Sequence, residues 1–476
     1  MPKKYSIAGS AAPPRFQPVG KFVIERNEDE CIHCGRCTLV CLHDVHKRRG
    51  DDPRFISEPV NYLCKGCFRC IQECPKEALT IKNNEEWLLL GDSYWTPETF
   101  GKIWYQAETG SIPVSGTGYT GPFSGEGFDS MWTDMSEIVR PTRDGIHGRE
   151  YISTSVYIGR KAQMLTFDNK GKIKSPLPPT LSIPIPLIFD IIPFRFSKNV
   201  YESLVKAASF LGTFMIIDLD EWFNSKYQAN LVPFFANLSK KMNQKLMFPE
   251  FEGVIKKCKM VEIAYDLEVL KVVEEIKRLK NEMIVSVRIP FGDSTNKIVE
   301  ELAFAGVEVL HLCADVNGKV ISSSDKNRFV KDGILDAHRL LVEHKIRDEV
   351  TLMLSGGIAM AEHVAKAIIC GADVTAVDLP LLIALECRYC KRCQNGLSCP
   401  VELKALNSDY GAQRIINLMR AWRNQLLEVL GAMGLRDVRR LRGEVGRAIL
   451  HEDIRHETFE KILRSEGVTN NIKSSN

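Results

Sequence analysis

From about residue 180 the chain alternates short apolar, β-branched runs with amphipathic stretches of helical period. The runs Leu181–Ile192, Phe214–Asp218, Val232–Leu238, Lys259–Tyr265, Met283–Ile289, Val307–Leu312, Thr351–Leu354 and Val374–Val377 read as strands. Between several of them Asp266–Leu279, Asn296–Ala305, Ile334–Glu343 and Ala361–Cys370 place apolar residues on one helical face. Near-continuous apolar strands alternating with helices predict an α/β fold with a parallel sheet, and eight strands favour a (β/α)8 TIM-type barrel. A doubly wound open sheet is the alternative, because periodicity does not distinguish a closed sheet from an open one. Beyond Pro400 the pattern is helical, with Leu418, Trp422 and Leu426 at helical spacing.

The N-terminal part has a different texture. Residues 1–20 form a Ser/Ala/Pro/Gly-rich lead-in, and 21–84 hold two dense cysteine runs and read as a small α+β domain. Residues 85–175 are a glycine-rich connecting region, 176–400 the barrel with a terminal cysteine cluster, and 401–476 a helical tail. The 63 Lys and Arg against 60 Asp and Glu give a net charge of +3, which offers no footprint for nucleic acid or an anionic membrane. The longest apolar stretch, around Leu181–Phe194, is broken by prolines and Asp190 and is too short to span a bilayer. With no apolar export signal behind Met1-Pro2-Lys3-Lys4, a cytoplasmic protein is expected.

In a reducing compartment the 15 cysteines are not a disulfide framework. Cys258, Cys313 and Cys370 are isolated in apolar surroundings and read as small buried hydrophobes. The others form three groups. Cys31, Cys34, Cys37 and Cys41 repeat the spacing of Cys64, Cys67, Cys70 and Cys74, the last followed by Pro75. Three cysteines at two-residue gaps let one tight loop present three thiolates to a 4Fe–4S cubane, while the fourth reaches the other cluster. Cluster one is therefore assigned to Cys31, Cys34, Cys37 and Cys74, and cluster two to Cys64, Cys67, Cys70 and Cys41. Zinc would leave ligands redundant in such runs. The segment resembles the bacterial two-cluster ferredoxins over about 60 residues, and anaerobic electron transfer is the implied setting.

Gly116-Thr117-Gly118-Tyr119-Thr120-Gly121 has the form of a dinucleotide fingerprint, but Pro122 and further glycines leave no helix to follow it, so it is read as a chance match. Ser355-Gly356-Gly357-Ile358 sits between a strand and a helix at the predicted C-terminal barrel face, where backbone amides can approach a phosphate. The run Gly121-Pro122-Phe123-Ser124-Gly125-Glu126-Gly127-Phe128-Asp129-Ser130 and its continuation to Lys161 resemble the archaeal-type glutamate synthase large subunit. So do Leu354–Gly371 and the tail from Leu430-Gly431-Ala432-Met433 to Arg447.

That resemblance implies an FMN-binding barrel with Gly356 and Gly357 on the flavin phosphate. It further implies an iron–sulfur cluster at Cys387, Cys393 and Cys399, where the family carries 3Fe–4S on three cysteines. Here Cys390 adds a fourth thiolate, which favours 4Fe–4S; zinc is the alternative. Redox partner subunits, an NAD(P)H- or ferredoxin-linked flavoprotein, are implied. Because position 2 is Pro2 and the family's glutaminase domain begins with cysteine, ammonia would come from a separate glutaminase-type subunit.

The family's barrel signatures are much altered. Asp218-Leu219-Asp220-Glu221-Trp222 replaces its Gly-Glu-Gly-Gly, and its Gln-Gly-Ala-Lys-Pro-Gly-Glu-Gly-Gly segment has no counterpart near Leu238–Glu252. Arg288 replaces its strand-five lysine, Cys313–Gly318 its His-Asp-Gly-Gly-Thr-Gly loop, and Val377-Asp378 its Gly-Thr phosphate arm. Arg288 and Gln228 remain as catalytic candidates. The expected function is an iron–sulfur flavoprotein oxidoreductase passing electrons through FMN to a small imine or oxo-acid. The alternative is an electron-transfer subunit whose barrel is a docking scaffold.

Overall fold

The computed structural model describes residues 5–112, 124–134, 151–162, 164–174, 177–223, 225–236, 238, 248–321 and 327–459. The Gly116–Gly121 motif and most of Leu238–Glu252 lie outside them.

Eight parallel strands close a barrel in sequence order: β1 Leu187–Phe189, β2 Met215–Asp218, β3 Leu231–Phe235, β4 Met260–Ala264, β5 Ile284–Pro290, β6 Val309–Cys313, β7 Thr351–Ser355 and β8 Val374–Val377. The last pairs with the first through Thr375 with Leu187 and Val377 with Phe189, so the sheet has no free edge. Each predicted apolar run supplies one barrel strand, and closure disposes of the open-sheet alternative. Helices Val269–Leu279, Thr295–Phe304, Val330–Glu343 and Ala361–Ile369 occupy the amphipathic stretches and turn their apolar faces to the strands.

One run divides. Leu181–Ile192 yields an outer strand, Thr180–Ile183, antiparallel to Val156–Gly159, and then β1. Pro184 and Pro186 stand between them and lack the N–H donors that a continuous ladder needs.

Strands Phe22–Arg26 and Leu79–Asn83 pair antiparallel and bracket the two cysteine runs. This module's own buried apolar set is Ile24, Val45, Cys70 and Leu79, with four further cysteines packed against it. So small a core cannot hold a domain of this size without the groups its cysteines bind.

The connecting region is less irregular than its glycines suggest, for Pro97–Thr109 is a helix capped by the Thr96 side chain. The lead-in is not loose either. It runs along helix Ser408–Ala432, whose Arg414 Nη1 donates to Ala12 O at 2.8 Å and whose Asn417 Nδ2 donates to Ser10 O at 2.7 Å. Side chains of the tail thus satisfy an extended backbone that has no strand partner.

Candidate redox centres and the barrel mouth

The two ferredoxin runs exchange their fourth cysteines. Cys74 and Pro75 line one pocket with Cys31, Cys34 and Cys37. Cys41 lies beside the second run: burial, then Cys64, Cys41 and Cys67, push the Cys70 thiol up to about 11. Thiols so crowded are poor acids alone, and ionise together when iron balances their charge.

The loop geometry repeats. Two residues after the first cysteine the backbone enters the left-handed region, at His33 (φ 51°) and Gly66 (φ 67°). Two residues later it does so again, at Gly35 (φ 79°, ψ 7°) and Phe68 (φ 60°, ψ 0°), and a short helix starts at Arg36 or Arg69. The N–H after the third cysteine of each run closes the turn on the left-handed residue, Thr38 to Gly35 O at 3.1 Å and Ile71 to Phe68 O at 3.1 Å. Gly66 N–H points at Cys64 Sγ, 3.4 Å away.

The third cysteine group adopts the same conformation. Tyr389 stands at φ 50° and Lys391 at φ 56°, ψ 10°, and a helical turn starts at Arg392. Gln394 N–H closes the same turn on Lys391 O at 3.1 Å. A left-handed L-residue costs about 1–2 kcal/mol. Tyr389 and Lys391 both carry that cost, so the loop's backbone is held in place by its surroundings. Burial, with Cys399, Cys390 and Cys393 behind it, pushes the Cys387 thiol up to about 12. Among the described residues no three Cys, His, Asp or Glu side chains converge on one metal-ion position, which holds for all three groups.

This third loop lies between the other two regions. Arg388 Nη1 is 3.5 Å from Glu86, just beyond the ferredoxin module. The Tyr389 ring packs on Phe194 behind β1, with centroids 6.0 Å apart. Asp378, at the end of β8, is among the charges felt by the Tyr389 hydroxyl.

At the barrel mouth the strand ends carry an internal ion cluster. Arg288 on β5 donates from Nε to Glu262 Oε1 at 2.6 Å, from Nη2 to Asp190, and from Nη1 toward Cys313 Sγ at 3.5 Å. Glu262 Oε2 also accepts Ser286 Oγ at 2.9 Å and faces His311 Nδ1 at 3.0 Å. Burial would raise the Glu262 carboxyl, but Arg288 and His311 outweigh it and hold it well below the usual range. Burial, reinforced by Asp190, pushes Asp378, the residue before helix Leu379–Ala384, up to about 7.

The strand-seven turn is clamped by protein. Gly356 and Gly357 have φ of 96° and 71°; a Cβ on Gly356 would lie 2.4 Å from Asp315 O, and one on Gly357 2.8 Å from Gly318 Cα. Gly357 N–H donates to Val316 O at 3.3 Å, and its carbonyl accepts Tyr94 Oη at 2.5 Å. His363 accepts the Ala359 N–H at Nδ1, so its Nε2–H donates to Asp129 at 3.0 Å and ties the Gly121–Lys161 segment to this turn.

Of the two catalytic candidates, Arg288 is at the mouth but is already paired. Gln228 is a correction: it lies in the turn Gln228–Asn230 before β3, at the N-terminal base of the barrel, away from the strand ends where barrel chemistry is built. Cys258 and Cys370 are buried as expected, whereas Cys313 is a member of the mouth cluster. Sequence reading missed Asp190 and Glu262, which look like ordinary strand residues until closure brings β1, β4 and β5 round one axis.

Residues 237–436 match the family described as a conserved region in glutamate synthase, and residues 23–75 match a 4Fe-4S dicluster domain. The archaeal-type glutamate synthase (NADPH) of Dehalococcoides mccartyi is 27% identical over 484 residues, 89% of this chain and 94% of that protein. The archaeal glutamate synthase (NADPH) of Methanocaldococcus jannaschii is 28% identical over 496 residues, with the same coverage of each. This chain is a relative of the archaeal-type glutamate synthases. The similarity covers about nine-tenths of the chain, which is a glutamate synthase-like iron–sulfur oxidoreductase. Among solved structures the recombinant flavin-binding domain of baker's yeast flavocytochrome b2 overlaps only loosely, with TM-score 0.41 and 13% identity over 67% of this chain and 77% of that one. Among the described residues no helix is long and apolar enough to cross a membrane.

Proposed function

We propose that electrons enter this oxidoreductase at the ferredoxin module, pass a third iron–sulfur cluster at Cys387, Cys390, Cys393 and Cys399, and arrive at the barrel mouth. The observation that carries this reading is the third loop, which repeats the ligand-loop backbone of the ferredoxin runs and stands between them and the strand ends. Cys31, Cys34, Cys37 and Cys74 hold the first cluster, and Cys64, Cys67, Cys70 and Cys41 the second. The third is 4Fe–4S: Cys390 occupies the middle position of the loop, the place of Cys34 and Cys67. Four thiols that nowhere gather round a single ion suit a cubane better than zinc.

Anaerobically purified protein should then hold about twelve irons per chain. Cys390→Ser should lower that by about one and produce the electron-paramagnetic signal of an oxidised 3Fe–4S cluster. Eight irons with one zinc in the native protein would sink the third cluster.

The relationship implies FMN at the mouth and a small imine or oxo-acid as substrate, with cytoplasmic redox and glutaminase-type partner subunits. As arranged, the mouth does not fit a flavin phosphate. Loop Asp315–Gly318 packs against Gly356 and Gly357, the buried Asp378 carboxyl stands at the end of β8, and Arg288 is committed to two carboxylates. No chemical step is therefore derived through FMN. These same facts favour the second reading, an electron-transfer subunit whose barrel passes electrons to a partner. Flavin released from iron-replete protein decides between them: about one FMN per chain restores the enzyme with loop 315–318 lifted, and none leaves the relay.

A further inference from the structure

The base of the barrel, opposite the mouth, carries a second feature that electron transfer does not use. A cavity of about 820 Å³ opens there between strand Val156–Gly159, the residues leading into β7 and β8, and the tail beyond helix Ser408–Ala432. Lys161, Arg436, Arg439, Arg440 and Arg442 line it, with Asp348, Asp373 and Asp437 as its carboxylates. It continues inward as a narrow slot walled by Val156, Ile368, Ala372 and Val438.

The carboxylates are already spent. Asp373 accepts Arg347 Nη2 at 3.0 Å, Leu352 N at 2.9 Å and Arg442 Nη1 at 2.7 Å. Asp348 takes the other arm of Arg442, and Asp437 takes the backbone and side chain of Arg439. That leaves Lys161 and Arg440 with no hydrogen-bonded carboxylate among the described residues. Lys161 is half-buried, at the junction of the cavity and the slot. Burial lowers its pKa, and Arg442, Arg347 and Arg439 lower it further against the pull of Asp373. A half-buried ammonium among guanidiniums whose counter-charges are used up lacks an anion. The guanidinium forks present donors suited to phosphate oxygens. The volume is that of a pocket for a molecule of nucleotide size.

We infer that this basal cavity binds a phosphate-bearing small molecule, its phosphates held by Lys161 and Arg440 with Arg436 and Arg439 beside them. The ligand would join the tail to the barrel base, a regulatory position rather than a catalytic one. An acidic segment of a partner protein is the competing occupant, and the concave shape with its inner slot favours the small molecule.

The test is calorimetric titration of anaerobic, cluster-loaded protein with inorganic pyrophosphate and with ADP. A double variant, Lys161→Gln with Arg440→Gln, serves as the comparison. Neither residue makes an ion pair among the described residues, so the variant should keep its iron content and its melting temperature. Native protein should bind at least one of the two probes at micromolar to millimolar concentration and lose affinity as salt rises, and the variant should bind at least tenfold more weakly. ADP binding more tightly than pyrophosphate would extend the site to the nucleoside. No binding of either probe by native protein, or equal affinity in the variant, would overturn the inference. A site that binds only an acidic protein belongs to that failing outcome.

Discussion

The cysteine loops and the barrel mouth use their residues in opposite ways. In the loops a short local pattern is repeated three times with the same two left-handed residues, the same closing backbone bond and the same following turn. In the mouth the residues come from several separate strands, and the outcome depends on which charges meet. There Arg288 pairs with Glu262 and Asp190, Glu262 also faces His311, and Asp378 is buried beside Asp190. Local chemistry survives sequence divergence as long as the loop does. A site assembled from eight strands changes character when two or three positions change.

Removal of iron is the sharpest way to break this comparison. The ferredoxin module's apolar cluster is small, Ile24, Val45, Cys70 and Leu79, so chelation should unfold residues 21–84 and expose them to protease. The barrel should remain folded and keep its far-ultraviolet dichroism. A module that stays protease-resistant without iron would show that apolar packing holds it, and the contrast with the mouth would fail.

A smaller but still large effect is expected at the mouth. Arg288→Met leaves Glu262 and Asp190 buried without their cation, a change that typically costs about 3–5 kcal/mol. Denaturant unfolding should show that loss with the iron content unaltered. If Arg288 instead serves a substrate and pairs only loosely, stability will barely move.

The smallest effect is a matter of pH. Asp378 has an ordinary value of 3.8 that burial raises to about 7 in the folded chain. Between those values the unfolded state releases the proton and the folded state keeps it, so stability falls as pH rises through that window. Above pH 7 the cost levels off, on the order of 4 kcal/mol at most. Asp378→Asn should therefore raise the melting temperature at pH 8 and leave it nearly unchanged at pH 4. An equal gain at both values would mean that the benefit lies in packing and not in charge.

The three cysteine groups, the eight barrel strands and the helical tail were legible in the sequence for physical reasons. Ligand spacing is set by the reach of one loop round a cluster, and buried parallel strands leave apolar runs at regular intervals. Tertiary structure decided the rest. The pairing of β8 with β1 closed a sheet that periodicity left open, and Pro184 and Pro186 divided one apolar run into an outer strand and a barrel strand. Gln228 went to the base while Arg288 went to the mouth, since a residue before a strand and one near its end face opposite ends of a barrel. Glu262 and Asp190, 72 residues apart in the numbering of the chain, became partners of one guanidinium only through closure. A charge on a strand carries no mark of its partner, because Coulomb's law acts on distances in space and not along the chain.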